Sequence, residues 1–222
     1  MSSQSAVSIK VSGIKEAMQA LDPKKVVSAG RAALGYTKSS ARSKAVQLMT
    51  QTWNISKKNL EQTASGKPRI EVSGKVGDDL SAIITFWSGG ISLAYFGAKE
   101  FRLTVARSKQ SAKRMGQKVA KGQKTLIGVR VQTLRGGRVA LLRQFFARVK
   151  SGGGAGVHLG VFRRDSAGGR YKTGNAKMVE SASVGIATMV NQPRVLKPLT
   201  EHITDTFNKR FAHELKRQGF SL

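Results

Sequence analysis

Cysteine is absent from this chain of 222 residues. That excludes disulfide scaffolds, thiol catalysis and cysteine-ligated zinc or iron–sulfur sites. Histidine is scarce: His158, His202 and His213 are the whole supply. His202 and His213 fall on one helical pattern, separated by about 16 Å of rise, too far to share a metal. Acidic residues number only 12, and Asp78-Asp79 is their one adjacent pair. That pair reads as a turn before a strand, not as the converging carboxylates a metal nuclease needs. No Gly-x-Ser-x-Gly occurs. Gly122-Gln123-Lys124-Thr125 lacks the glycine that a phosphate-binding loop places before its lysine. The glycines from Gly152 to Gly160 open no helix and read as a strand connector. No enzyme, no cofactor and no metal are expected.

Long hydrophobic runs are also missing, with one near exception. Leu80 to Ala98 carries no charge. Ser88-Gly89-Gly90 interrupts it, so two apolar runs, Ser81–Phe86 and Ile91–Phe96, are expected to pair as a hairpin rather than cross a membrane. Met1 to Val7 has no basic stretch followed by an apolar one, and no signal peptide is expected.

What the chain has in excess is positive charge. It holds 39 Lys and Arg against 12 Asp and Glu, a net of +27. Such a balance favours a polyanionic partner. The excess is uneven. Residues 99–150 hold 15 basic side chains and one acid, Glu100. The densest part is a basic loop at about 106–124, with Arg107, Lys109, Lys113, Arg114, Lys118, Lys121 and Lys124 as candidate polyanion- or DNA-facing residues. Aromatic residues are few in it, unlike the interleaved rings of single-strand binders. The reading is backbone-level contact without sequence readout. The alternative is a solvated loop that keeps the protein soluble before assembly.

The remaining pattern is mixed. Asp22-Pro23 marks a helix start, and helical spacing continues to about Gln51. Gly13 to Leu21 suggests a brief helix, and Ser56 caps a short one through Gln62. Strands are expected at 8–11, 68–72, 101–105, 125–131, 139–149 and 157–162, with 165–176 a loop. Val184 to Val190 is a weak element that starts a helix. A terminal helix is expected with Pro198 in its first turn and Gly219 following as its stop. Its stripe of Leu199, Ile203, Phe207, Phe211 and Leu215 is assigned to core or subunit packing. The expected class is α+β: a central antiparallel β-sheet flanked by a long N-terminal helix and a C-terminal amphipathic helix, in one unit over 1–222.

The order of segments carries a resemblance. A basic N-terminal helix is followed by Ser56-Lys57-Lys58-Asn59-Leu60, Gly90 to Phe96 and Gly128-Val129-Arg130-Val131. Arg138 to Gly152, His158 to Arg164, Arg170-Tyr171 and Ser181 to Val184 come next. From roughly residue 25 to 217 this resembles the prophage minor tail protein Z family, the tail-completion proteins of tailed bacteriophages. Phe145–Gly152 and His158–Arg164 resemble it best. Lys172-Thr173 departs from the Pro-Ile that often follows the Arg-aromatic pair. The resemblance implies a structural virion protein at the head-proximal end of the tail, needed for the head–tail (neck) junction. It implies a homo-oligomeric ring, with the tail terminator ring, tail tube and head–tail connector as partners and packaged DNA as a backbone-level contact. The rival reading is a non-specific DNA-binding or packaging accessory protein.

Overall fold

The first long helix begins where its residue types dictate. Pro23 takes the opening position, where no N–H is needed. Asp22 caps it: its carboxylate accepts from the Lys24 N–H at 3.0 Å and its carbonyl from the Val26 N–H at 3.1 Å. The computed structural model describes residues 5–10, 22–63, 66–73, 81–87, 89–104, 124–150, 157–170, 176–181 and 184–220.

In chain order the elements are β1 (Ser5–Lys10), α1 (Pro23–Thr52), α2 (Lys57–Glu61), β2 (Ile70–Ser73), β3 (Ser81–Phe86) and β4 (Gly90–Ile91). Then come β5 (Lys99–Thr104), β6 (Lys124–Val131), β7 (Val139–Leu142), β8 (Gln144–Lys150) and β9 (Val157–Arg170). The chain ends with β10 (Ala176–Glu180), β11 (Val184–Gly185), α3 (Ile186–Val190) and α4 (Pro193–Arg217). This is an α+β chain with a long helix near each end and several antiparallel sheets. Its residues cluster into two compact units, one from 1–52, 57–89 and 185–222, the other from 53–56 and 90–184.

In the first unit α1 and α4 pack antiparallel. Lys25 meets Phe220, Tyr36 meets Arg210 and Ser40 meets His202, so the order reverses from one helix to the other. The α1 seam is built of small side chains, with Ala29, Gly30, Ala33, Ala41 and Ala45 buried beside Val26, Leu34, Val46 and Met49. Thr37, also buried, satisfies its hydroxyl on the Ala33 carbonyl at 2.8 Å. From α4, Val195, Leu199, Ile203, Phe207 and Leu215 are buried. Phe211 is half-buried and stacks on Phe207 with centroids 5.6 Å apart. Burying each large apolar side chain stabilises the fold by about 1.5–3 kcal/mol. The stripe expected to serve core or subunit packing is thus buried within its own chain at four of its five positions.

Helix α4 starts at Pro193, one turn before the expected Pro198, which lies inside the helix. Only the Arg194 carbonyl loses an N–H partner that way. Its C-terminus closes as expected on Gly219, at φ +89. There the Phe220 N–H reaches the Leu215 carbonyl at 3.2 Å and the Gly219 N–H reaches Lys216 at 3.0 Å.

Strand β3 lies between β1 and β2, antiparallel to both. Ala82, Ile84 and Phe86 are buried and Ile83 is exposed, the alternation of a half-buried strand. The expected hairpin with Ile91–Phe96 is therefore corrected. Both edges of β3 are already taken, and a strand has only two. The second run instead gives the short β4 and a 3₁₀ turn at Leu93–Tyr95, where the Ser92 hydroxyl accepts from the Ala94 N–H.

In the second unit β5-β6-β7 and β8-β9-β10 form two antiparallel sheets. The single strand expected over 139–149 divides at Arg143, the non-glycine residue with φ +60. Its first part joins β6 and its second part joins β9. A strand that serves two sheets must bend, and one left-handed residue supplies the bend. The loop expected over 165–176 is corrected over 165–170, while 171–175 lie outside the described residues. Strand β9 continues to Arg170 because β10 pairs with it, placing Lys177 opposite Asp165 and Val179 opposite Arg163. The brief helix expected at Gly13–Leu21 and the basic loop lie outside the described residues, apart from Lys124, which opens β6 opposite Thr104.

Candidate polyanion-binding surface

Twelve carboxylates cannot neutralise 39 cations. If every one were paired, 27 cationic side chains would still face solvent or a partner. Ion pairs among the described residues include Arg102 with Glu100 at 3.2 Å, Arg217 with Glu214 at 3.0 Å and Arg42 with Glu61 at 3.5 Å, each with its cation partly exposed. Pairs of this kind contribute at most about 1 kcal/mol each. The charge is therefore carried for something other than internal stability.

Arg107, Lys109, Lys113, Arg114, Lys118 and Lys121 lie outside the described residues. What the structure adds is a second cationic set, held on strands. In the β5-β6-β7 sheet Lys99 stands opposite Arg130. The Arg130 guanidinium lies 4.8 Å from the centre of the Phe101 ring, a diagonal cross-strand contact. In the β8-β9-β10 sheet Arg164 lies 5.7 Å from the Phe145 ring. Arg148, Arg163 and Lys177 are exposed. Period-two alternation sends Arg163 and Arg164 to opposite faces.

A guanidinium stacked on a ring is oriented but not neutralised. Its N–H edges stay available for phosphate or carboxylate oxygens. Strands hold such groups more rigidly than a loop does. Sequence reading missed this set because the rings and the cations sit on different strands. Only the pairing register brings Phe101 to Arg130 and Phe145 to Arg164.

Two glycines allow close approach within these sheets. A Cβ on Gly128 would lie 2.2 Å from the Leu141 carbonyl oxygen on the neighbouring strand. A Cβ on Gly160 would lie 2.6 Å from the Phe162 ring and 2.8 Å from Glu180 Oε1. Both glycines fall in the segments that carry the family resemblance, so those segments are packing motifs.

The helical unit carries its own stacked cations, Arg210 on Tyr36 at 3.7 Å and Lys25 on Phe220 at 5.9 Å. His202 Nε2 lies 2.9 Å from the Ser40 hydroxyl and 3.4 Å from that of Thr206. Burial holds its pKa below the usual value, Lys44 and Lys209 add to that, and Asp205 opposes it. His213 Nδ1 lies 3.5 Å from Glu214 at the surface. The backbone of His158 lies on β9. Among the described residues no three His, Asp or Glu side chains could together hold a metal ion. No described helix is long and apolar enough to cross a membrane. No family model, curated protein or solved structure matches the chain.

Proposed function

We propose that this protein is a structural virion component of a tailed bacteriophage. It completes the head-proximal end of the tail and serves the head–tail junction. One observation carries the reading: 15 basic side chains against one acid in residues 99–150. Most of the described part of that segment is β-strand, with the Arg130 guanidinium stacked on Phe101. A rigid cationic surface of this kind suits the packaged genome, met through its phosphates, and acidic neighbouring proteins. The family resemblance over residues 25–217 supplies the location. Neighbours under this reading are the terminator ring, the tail tube and the connector, with copies arranged in a ring about the tail axis.

The test is the fate of particles assembled without the protein, followed by electron microscopy and infectivity. Unjoined heads and tails, or joined but inert particles, are expected. Normal infectious particles would overturn the reading.

The same charge supports a second reading, a non-specific DNA-binding or packaging accessory protein. Salt discriminates it. A protein that neutralises six to ten phosphates loses about 10³–10⁵ in affinity between 50 and 200 mM salt. A virion protein stays in the particle across that range.

A further inference from the structure

Strand β7 is the edge of its sheet. Among the described residues it pairs only with β6, and its other row of N–H and C=O groups has no strand beside it. Its sequence, Val139-Ala140-Leu141-Leu142, contains no charge and no proline. Val139 is 56% exposed and Leu142 57% exposed, though both are large and apolar. Exposed edges are normally blunted by charge, proline or a covering element, because they template pairing with another chain. Here charge appears only at the two ends, as exposed Arg138 and Arg143.

We infer that β7 is a docking edge that accepts one extended segment of another protein as an added strand. The fitting segment has an apolar run of about four residues with a carboxylate at each end. Main-chain hydrogen bonds would give the affinity, and Val139 and Leu142 would lie beneath apolar partner side chains. Arg138 and Arg143 would meet the flanking carboxylates and set the register.

A second copy of this chain is the wrong occupant. Two-fold antiparallel pairing of Val139–Leu142 with itself sets Arg138 of each copy opposite Arg143 of the other. Like charges directly opposite destabilise a pair, and each chain already carries +27. A polynucleotide is also excluded as the edge's ligand, because it has no peptide groups to continue the ladder. The inference stands apart from the virion reading, since the edge recruits an acidic strand whatever the assembly.

The experiment titrates the full chain against three fluorescein-labelled hexapeptides, read by fluorescence anisotropy at about 150 mM salt, where exposed charges are screened beyond roughly 8 Å. The first carries glutamate at both ends of a Val-Ala-Val-Leu run. The second replaces both glutamates with lysine. The third keeps the glutamates but puts proline in the run, which preserves charge and breaks the ladder. The first peptide is expected to bind at least about tenfold tighter than either of the others, a margin of one decade in Kd. Amide hydrogen exchange is expected to slow at residues 139–142 when it is bound. The exposed double variant Arg138→Glu with Arg143→Glu should reverse the preference toward the lysine peptide. Equal binding of the first and third peptides would show plain charge attraction and overturn the inference. So would no binding of the first below about 1 mM, or a dimer of the chain that slows amide exchange at residues 139–142.

Discussion

The Arg210 guanidinium lies 3.7 Å from the centre of the Tyr36 ring, one helix to the other across the α1–α4 seam. Tyr36 is half exposed, so the contact sits at the rim of the seam and not in its core. Tyr36→Phe keeps the ring face and should leave stability unchanged. Tyr36→Ala should cost about 0.5–1 kcal/mol from the lost cation–ring attraction, plus the lost packing of the ring. Chemical denaturation midpoints check both. Equal midpoints for the two variants would remove the contact from the account.

Gly128 and Gly137 make a paired test. A methyl group at Gly128 meets the Leu141 backbone carbonyl, which cannot move without opening the β6–β7 pairing. Gly128→Ala should destabilise by about 1–3 kcal/mol or more. Gly137 has nothing within 4 Å of the same position. Gly137→Ala should stay within about 0.5 kcal/mol of the parent. Thermal melts of the two variants side by side give the answer.

Arg143 holds φ +60 where β7 hands over to β8. A non-glycine residue in that region costs about 1–2 kcal/mol. Arg143→Gly should therefore be neutral or stabilising by up to about 1 kcal/mol, the relief being offset by the freer unfolded chain. Arg143→Val should destabilise, because a β-branched residue fits that region worst. A valine variant as stable as the parent would contradict the geometry.

His202 predicts a pH dependence of defined sign. Burial lowers its pKa in the folded state, so the unfolded chain binds its proton more readily. The groups facing it are Lys44 and the Ser40 hydroxyl from α1, with Asp205, Thr206 and Lys209 from its own helix. The contribution is fully present above the unfolded value near 6.5 and is lost as pH falls below it. Melting temperatures should drop between pH 7 and pH 5. His202→Gln should drop less across that range. An equal drop in both would assign the acid sensitivity elsewhere.

The helical part of this fold was legible because its signals are local. Asp22-Pro23 opens α1, a four-residue apolar spacing runs along α4, and Gly219 ends it. Each lies within a turn or two of the backbone it controls. Most strand positions were legible for the same reason, through alternation, but Ala176–Glu180 was not. Strand partners were not. Ser81–Phe86 and Ile91–Phe96 look like a hairpin until β1 and β2 occupy both edges of the first run. Residues 165–170 look like a loop until β10 pairs with Asp165 and Arg170 at either end. The passage between the two compact units leaves no mark in composition, because the chain crosses four times, at 52–53, 56–57, 89–90 and 184–185, and no single linker exists.

The same division applies to the candidate surface. The sequence by itself determined the charge, its concentration in residues 99–150 and the chemistry denied by the absence of cysteine. Those are sums over residues, and folding does not change them. Only the fold brings Arg130 onto Phe101 and Arg164 onto Phe145, and leaves Val139–Leu142 with one strand partner among the described residues. Pairing register sets all three. It depends on which distant strands win the available hydrogen-bonding edges, a competition no local stretch of sequence encodes.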